Sequence, residues 1–401
     1  MPPSTDTLLA RLLELIDSEL AAAVQLRHRL HEQPELAHQE LRTATIVADA
    51  LPVACTTVAG TGRLARTGPA TGKPLAIRAE LDGLPIHERT HAPFSARGET
   101  MHACGHDVHM AALVAVMHAA HALGDALPTP LLAIFQPSEE AFPSGAEQLA
   151  RDGELAEQAP AAVLAAHVHP EVPWGAVALD AGAVNASSDS VEIVIEGEPS
   201  HGAYPHQGRD PVLAIAQVVV TLHAVAGRRI DPLGPTVLNV GVLEGGGAEN
   251  VIPARARARA TIRALHPQDR VALRELVVEV VAGVAAAHGC RGSAELVPGE
   301  PALENDPQIV AHARTLLAGA GLALAPEWRS CGSDDFSFYS EIAPVAMAFV
   351  GLDGAPGFEL RPLHHPELLP PDEAVGAVAR AQAVLYAGAA AALGAGGNEA
   401  G

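Results

Sequence analysis

PLAIRAEL (residues 74–81) is followed by an apolar, helix-like run from Val108 to Leu123, then by PLLAIFQ (130–136) and AAVLAAHV (161–168). Short runs rich in Ile, Leu and Val that alternate with helical stretches mark an α/β domain on a mainly parallel sheet. A different rhythm begins near Ser187. SVEIVIEG (190–197) alternates apolar and polar residues as a half-exposed strand does, Asp210 to Val225 reads as a helix, and TVLNVGVLEGG (236–246) with ARARATIRAL (256–265) reads as a strand pair. A helix from Gln268 to His288 and a strand in RGSAELVPG (291–299) complete the order strand, helix, strand, strand, helix, strand. That is the split βαβ pattern of a two-layer α+β, ferredoxin-like domain. The α/β pattern resumes after about Pro298, with a helix near Gln308 to Ala320, a strand in APVAMAFVG (343–351) and a last helix from Asp372. The expected layout is a discontinuous main domain, 1–186 and 296–401, interrupted by an inserted domain at 187–295.

The bulk numbers agree with this. A chain of 401 residues fits two domains of the usual size, roughly 100–200 residues each. Hydrophobic residues at 48% and charged residues at 18% supply packed cores rather than a disordered chain. Lys and Arg number 25 against 47 Asp and Glu, and the net charge of −22 repels phosphate backbones and anionic lipid. Nucleic acid and membrane partners are therefore excluded. Arg11, Glu14 and Asp17 would interrupt the apolar stretch of a signal peptide, so the N-terminus reads as an amphipathic helix. Elsewhere the Ala-rich runs are broken by His, Arg or Gly, and a membrane span of about 20 strongly apolar residues is not expected. The expectation is a cytoplasmic protein. Its four cysteines, Cys55, Cys104, Cys290 and Cys331, are too sparse for a disulfide scaffold and are expected to be reduced. The tail GAGGNEAG (394–401) reads as disordered.

The segment MHACGHDVHMAA (101–112) carries the densest chemistry. Cys104 and His106 flank Gly105, and a thiolate beside an imidazole suits Zn²⁺ or a similar divalent ion. Alone, such a pair is more often a polar loop capping the following helix. Similar clusters, however, follow three other expected strands: Glu139 and Glu140 after PLLAIFQ, His167 and His169 at the end of AAVLAAHV, and His364 and His365 after the last strand. Ligands of open α/β sheets bind just beyond the carboxyl ends of the strands, so these tips can meet in one site. Asp82, at the end of RAELDGLPI, is a candidate to hold a ligand imidazole by hydrogen bonding.

RAELDGLPI, MHACGHDVH, FQPSEEA, HVHP, PSHGAYPHQGRDP, GGGAENVIP, GSDDFS and PLHH, in this order and spacing, resemble the aminoacylase and carboxypeptidase-type metallopeptidase superfamily. The branch resembled is that of hippurate and auxin-conjugate hydrolases, whose N-terminal helix RHRLHEQPEL (27–36) also matches. The resemblance implies that Cys104, His106, Glu140, His167 and His364 ligate two divalent ions, zinc or else manganese, cobalt or nickel. It implies Glu139 as general base, and His201 as a lid histidine that reaches the other subunit of a homodimer formed through the inserted domain. Asn250, Arg263 and Gly332 match substrate-binding positions, Asn250 and Arg263 for a free carboxylate. The chain departs from the family's usual pattern at Glu80, where Asp is common, and at Asp334, where Glu is common.

The expected function is metal-dependent hydrolysis of small acylated amino acids to a carboxylic acid and an amino acid. A dipeptidase or carboxypeptidase would use the same metal site. A non-catalytic metal- or ligand-binding protein is disfavoured by the intact Glu139 beside Glu140.

Overall fold

The computed structural model describes residues 4–151 and 153–396, so the expected disordered tail lies mostly outside the described residues. The chain divides into two units. The first comprises the chain up to Gly182, Glu304–Trp328 and the chain from Asp335 onward. Its sheet runs in the order Cys55–Val58, Gly62–Thr67, Leu131–Gln136, Leu75–Glu80, Ala162–Pro173, Val345–Asp353, Ala176–Ala178, Ala323–Leu324. The four central strands, Leu131–Gln136 through Val345–Asp353, are parallel, and Gly62–Thr67 joins them antiparallel. Leu75–Glu80 and Leu131–Gln136 are buried at every position. This is why they read as continuous apolar runs rather than alternating ones: helices cover a parallel sheet on its faces.

The helix Thr5–His31 buries Leu8, Leu9, Leu12, Leu13, Ile16, Ala23, Leu26 and Leu30 at helical spacing, and the Ser4 hydroxyl accepts from the Thr7 amide at its start. It packs with the helices His106–Leu123 and Glu373–Gly396 in one core. From Leu75–Glu80 the chain crosses to Leu131–Gln136 on one side, then returns to Ala162–Pro173 on the other. The strand order thus reverses about Leu75–Glu80, which opens a crevice at the carboxyl ends of these strands.

The second unit is Ala183–Leu303 with Arg329–Asp334. Its antiparallel sheet has the order Thr236–Gly245, Arg255–Ala264, Ser187–Glu196, Arg291–Pro298. The helices Pro211–Arg229 and Pro267–Ala287 pack on the face formed by Val191, Ile193, Ile195, Ala256, Ala258, Ala260, Ile262 and Ala264. This is the ferredoxin-like arrangement, and its period-two strands leave Arg255, Arg257, Arg259 and Arg263 on the opposite face. The unit reaches beyond the expected 187–295. Ser330 bridges Asn185, and the Ala186 amide donates toward the carbonyls of Ser330 and Gly332. These backbone bonds tie Arg329–Asp334 to this unit.

Among the described residues two helices are, by length and composition, apolar enough to cross a membrane: Pro211–Arg229 and Glu373–Gly394. The expectation that no such run exists is thus corrected. Glu373–Gly394 is mostly buried in the first core, and Pro211–Arg229 sets Ala214, Ile215, Val218 and Leu222 on the second, with Arg228 and Arg229 at its end.

One polar network lies inside the first core. Arg27 donates to Asp107 at 3.0 Å and to Asp372 at 2.8 Å, while His31 meets Asp107 through Nδ1 at 2.9 Å and Glu88 through Nε2 at 3.1 Å. With a carboxylate on each ring nitrogen, His31 is satisfied as a cation. Burial opposes its charge, but Asp107 and Glu88 outweigh burial and raise its pKa to about 9. Because this exceeds the ordinary 6.5, the stabilisation is complete below pH 6.5 and is lost as pH rises through 9. We expect the urea midpoint of the wild type to fall between pH 6.5 and 9.5. In a His31→Gln variant the midpoint is lower at pH 6 and nearly level across that window; equal pH slopes in the two proteins would contradict the charged-histidine reading.

Candidate active site

Four chain segments bring the expected ligands to the crevice. Gly105, with φ of 84°, precedes the helix His106–Leu123, and a Cβ there would come within 2.4 Å of Val168 Cγ2. Only glycine satisfies both demands, and it lets Cys104 and His106 turn toward the end of Ala162–Pro173. Cys104 Sγ lies 3.5 Å from His167 Nε2. His106 Nε2 lies 3.8 Å from Glu139 Oε2 and 4.0 Å from Glu140 Oε1, and His364 Nε2 lies 3.2 Å from the same Glu140 oxygen. The amide of His364 is anchored on the Ala103 carbonyl at 2.8 Å.

The hydrogen bonds decide the tautomers. His106 Nδ1 is 2.8 Å from the Asp82 carbonyl and His167 Nδ1 is 2.6 Å from the Val168 carbonyl. A carbonyl only accepts, so both Nδ1 atoms carry protons and both Nε2 lone pairs face the cluster. His106 Nε2 is buried with no hydrogen-bond partner, and Glu140 Oε1 has no aligned donor. Ligand atoms around a tetrahedral Zn²⁺ with bonds of about 2.0–2.3 Å sit roughly 3.3–3.8 Å apart. The thiol, imidazole and carboxylate atoms have nearly that spacing, and Cys104, His106 and His167 form one such group, with Cys104, Glu140 and His364 another. The residues fit divalent ions.

The electrostatics agree. Burial disfavours a proton on His106, yet Glu80, Asp82 and Glu140 outweigh it and raise its pKa, a sign of excess negative charge that a cation relieves. Burial, together with His109 and His106, holds His167 well below its ordinary pKa and so in the neutral form that ligates. Burial raises the Glu140 carboxyl, but His364 and His106 prevail and lower it.

Asp82 differs from its expected part. Its carboxylate Oδ1 stands 3.7 Å from His106 Nδ1, and the backbone carbonyl makes the bond instead. The carboxylate turns the other way, and Oδ2 accepts the Glu140 amide at 2.9 Å. Of the open pairs, His169 faces Trp328 and Phe349 with its Nδ1 accepting the Glu171 amide, and His365 Nδ1 accepts the Glu367 amide. His167 and His364 are the members that join the cluster.

His109 was not among the expected site residues. Its Nε2 accepts the Val168 amide at 3.0 Å, so its Nδ1 carries the proton and donates to Glu80 Oε2 at 2.9 Å. Glu80 is also paired with Arg78, which donates to Gln136 and Asp335. Burial raises the Glu80 carboxyl, but Arg78 and His109 hold it well below the ordinary range.

The other expected residues sit in the second unit. His201 is paired with Val251 in a short ladder, and the Gly202 amide donates to the Asn250 carbonyl at 2.7 Å. Arg263 donates to the Cys331 carbonyl at 3.2 Å and to Ser333 Oγ at 3.3 Å, which places it against the Gly332 loop.

Residues 76–385 match the profile of peptidase family M20/M25/M40. The chain is 32% identical over 349 residues to the N-acetyl-L-cysteine deacetylase of Bacillus subtilis, covering 86% of this chain and 82% of that one. It is 31% identical over 376 residues to the N-acetyldiaminopimelate deacetylase of Bacillus licheniformis, covering 92% and 98%. A dinuclear metal-binding peptidase of the M20 family from Bacillus subtilis has a solved structure that superposes with a TM-score of 0.80 at 29% identity, over 92% of this chain and 98% of that one.

The ligand geometry predicts that His167→Ala lowers the metal bound after dialysis, measured by elemental analysis, while His169→Ala keeps it. The opposite pattern would reverse the assignment.

Proposed function

The chain belongs to peptidase family M20/M25/M40 and is a metal-dependent amidohydrolase, and from that premise we propose that it hydrolyses N-acyl-L-amino acids to a carboxylic acid and an amino acid. The observation that supports this reading is Glu139, a mostly buried carboxylate 3.8 Å from His106 Nε2, outside the Cys104, Glu140 and His364 group yet within ligand distance of His106 and Glu140.

In this proposal Cys104, His106, Glu140, His167 and His364 hold two divalent ions, with Cys104 favouring zinc over manganese, cobalt or nickel. Such ions lower the pKa of water to about 7 and polarise the scissile carbonyl. Glu139 takes the proton of the attacking water on its carboxylate and returns it to the leaving nitrogen. Asp82 holds the Glu140 amide, and through its carbonyl it keeps the proton of His106 on Nδ1. His201 stabilises the developing oxyanion, and Arg263 with Asn250 and Gly332 holds the substrate's free carboxylate, a task suited to a planar guanidinium. His201 is exposed on its ladder, which supports its reaching the active site of a second subunit in a homodimer built through the inserted domain. Four sparse cysteines with no disulfide among them are in keeping with a reducing, cytoplasmic setting.

Glu139→Ala is expected to lose more than about 100-fold in kcat with its metal retained, since acid–base catalysis contributes roughly 10² to 10⁴. Full activity in that variant would remove Glu139 as the base. Arg263→Ala is expected to raise KM for N-acetyl amino acids by at least about tenfold, the scale of a charged hydrogen bond; an unchanged KM would remove Arg263 from the carboxylate site. Faster cleavage of the matching dipeptide than of the N-acetyl amino acid would replace this reading with a dipeptidase.

A further inference from the structure

Ser138, immediately before Glu139, has φ of 51°. This left-handed conformation is strained for a non-glycine residue and persists only where its surroundings impose it. The surroundings here come from a distant segment. Glu40 is fully buried, and its Oε1 accepts the Ser138 amide at 2.8 Å and the His38 amide at 3.0 Å, while its Oε2 accepts the Thr61 hydroxyl at 2.8 Å. His38 Nε2 lies 2.9 Å from Ser138 Oγ, which is also 3.1 Å from the Ala141 carbonyl and 3.3 Å from that of Pro143. The single hydroxyl proton goes to a carbonyl, and the imidazole then donates to the oxygen. On the far side, the Gly145 amide donates to the Ser138 carbonyl at 3.0 Å. A Cβ on Gly145 would fall 1.8 Å from the Pro137 carbonyl oxygen, so the turn closes only around glycine.

We propose that Glu40 and His38 are positioning residues for Glu139 that act through Ser138, an inference that rests on Glu139 being the base. The backbone angles of Ser138 aim the Cα–Cβ bond of Glu139. Asp82 takes the amides that follow, those of Glu139 and Glu140, so the turn is held at its entry by Glu40 and at its exit by a different carboxylate. Releasing Ser138 loosens the backbone that enters Glu139 while the exit of the turn stays tied to Asp82. A displacement of about 1 Å in a catalytic group can cost on the order of 100-fold.

The test is a double-mutant cycle on the metal-loaded full chain, reading kcat, KM and metal content with an N-acetyl amino acid. Glu40→Asp retracts the acceptor by one methylene and is expected to lower kcat about 10- to 100-fold, with KM within about twofold and metal content unchanged. Glu40→Gln keeps one acceptor for Ser138 and restores most of kcat. His38→Asn changes an exposed residue with φ of 64°, a conformation asparagine tolerates, so it keeps the test open if the Glu40 variants fail to fold. It is expected to lower kcat severalfold. In a Glu139→Ala background neither Glu40→Asp nor His38→Asn lowers the residual rate further, because the group they position is gone. Equal losses in both backgrounds, an unchanged kcat, or a loss of metal that accounts for the rate would overturn the proposal and leave Glu139 as the base. A fully active Glu139→Ala variant would overturn the base assignment and this inference with it.

Discussion

The ladder between Leu75–Glu80 and Ala162–Pro173 ends at Arg78 and Ala165, and the site depends on that parting. Past it, the Val168 amide donates to His109 Nε2. A buried amide without an acceptor would cost about as much as a lost hydrogen bond, so the split needs His109 as its wedge. Glu80, bound to the other ring nitrogen, closes the chain of contacts back to the strand from which the split began. His167 lies beyond that ladder, at the edge of the crevice, while its other side stays paired with Phe349.

A parted sheet would fill with water or collapse unless its walls were stiff, and here the stiffness is ionic. Arg78, Glu80, Gln136 and Asp335 form a buried, hydrogen-bonded set in which one guanidinium meets two carboxylates, with Ser144 and Tyr339 completing it. Removing one partner of such a set typically costs about 3–5 kcal/mol, because the other charge is left buried and unpaired. On the opposite side of the ligand helix, Arg27 and His31 hold Asp107, the residue after His106. The ligands therefore project from a frame of buried charges, and among the buried atoms without a hydrogen-bond partner two belong to the cluster itself, His106 Nε2 and Glu140 Oε1.

Much of this was legible in the chain. The apolar runs ending in Glu80, Gln136 and His167 identified the parallel sheet, and the period-two pattern around Ile193 and Ala258 identified the inserted domain. The ligand segments were visible because each follows a strand, where neighbours in sequence are also neighbours in the site. The supporting residues were less visible. Glu40 and Ser138 stand 98 positions apart, and Arg78 and Asp335 stand 257 apart. No local periodicity encodes either pairing. His109 lay in plain sight within MHACGHDVH, but its role depends on an amide orphaned by the split, a tertiary event. The part expected of the Asp82 carboxylate failed for a similar reason: two acceptors on one residue compete for donors, and local sequence does not reveal that the carbonyl takes the imidazole while the carboxylate takes the turn.

The central claim is that converging strand ends form a metal site that performs amide hydrolysis. It is tested most directly by stripping the protein of metal and titrating a divalent ion back while following release of the amino acid from an N-acetyl amino acid. No turnover is expected in the stripped protein, and the rate is expected to rise with added ion until the site is filled. Full turnover without metal, or none at any loading, would contradict it.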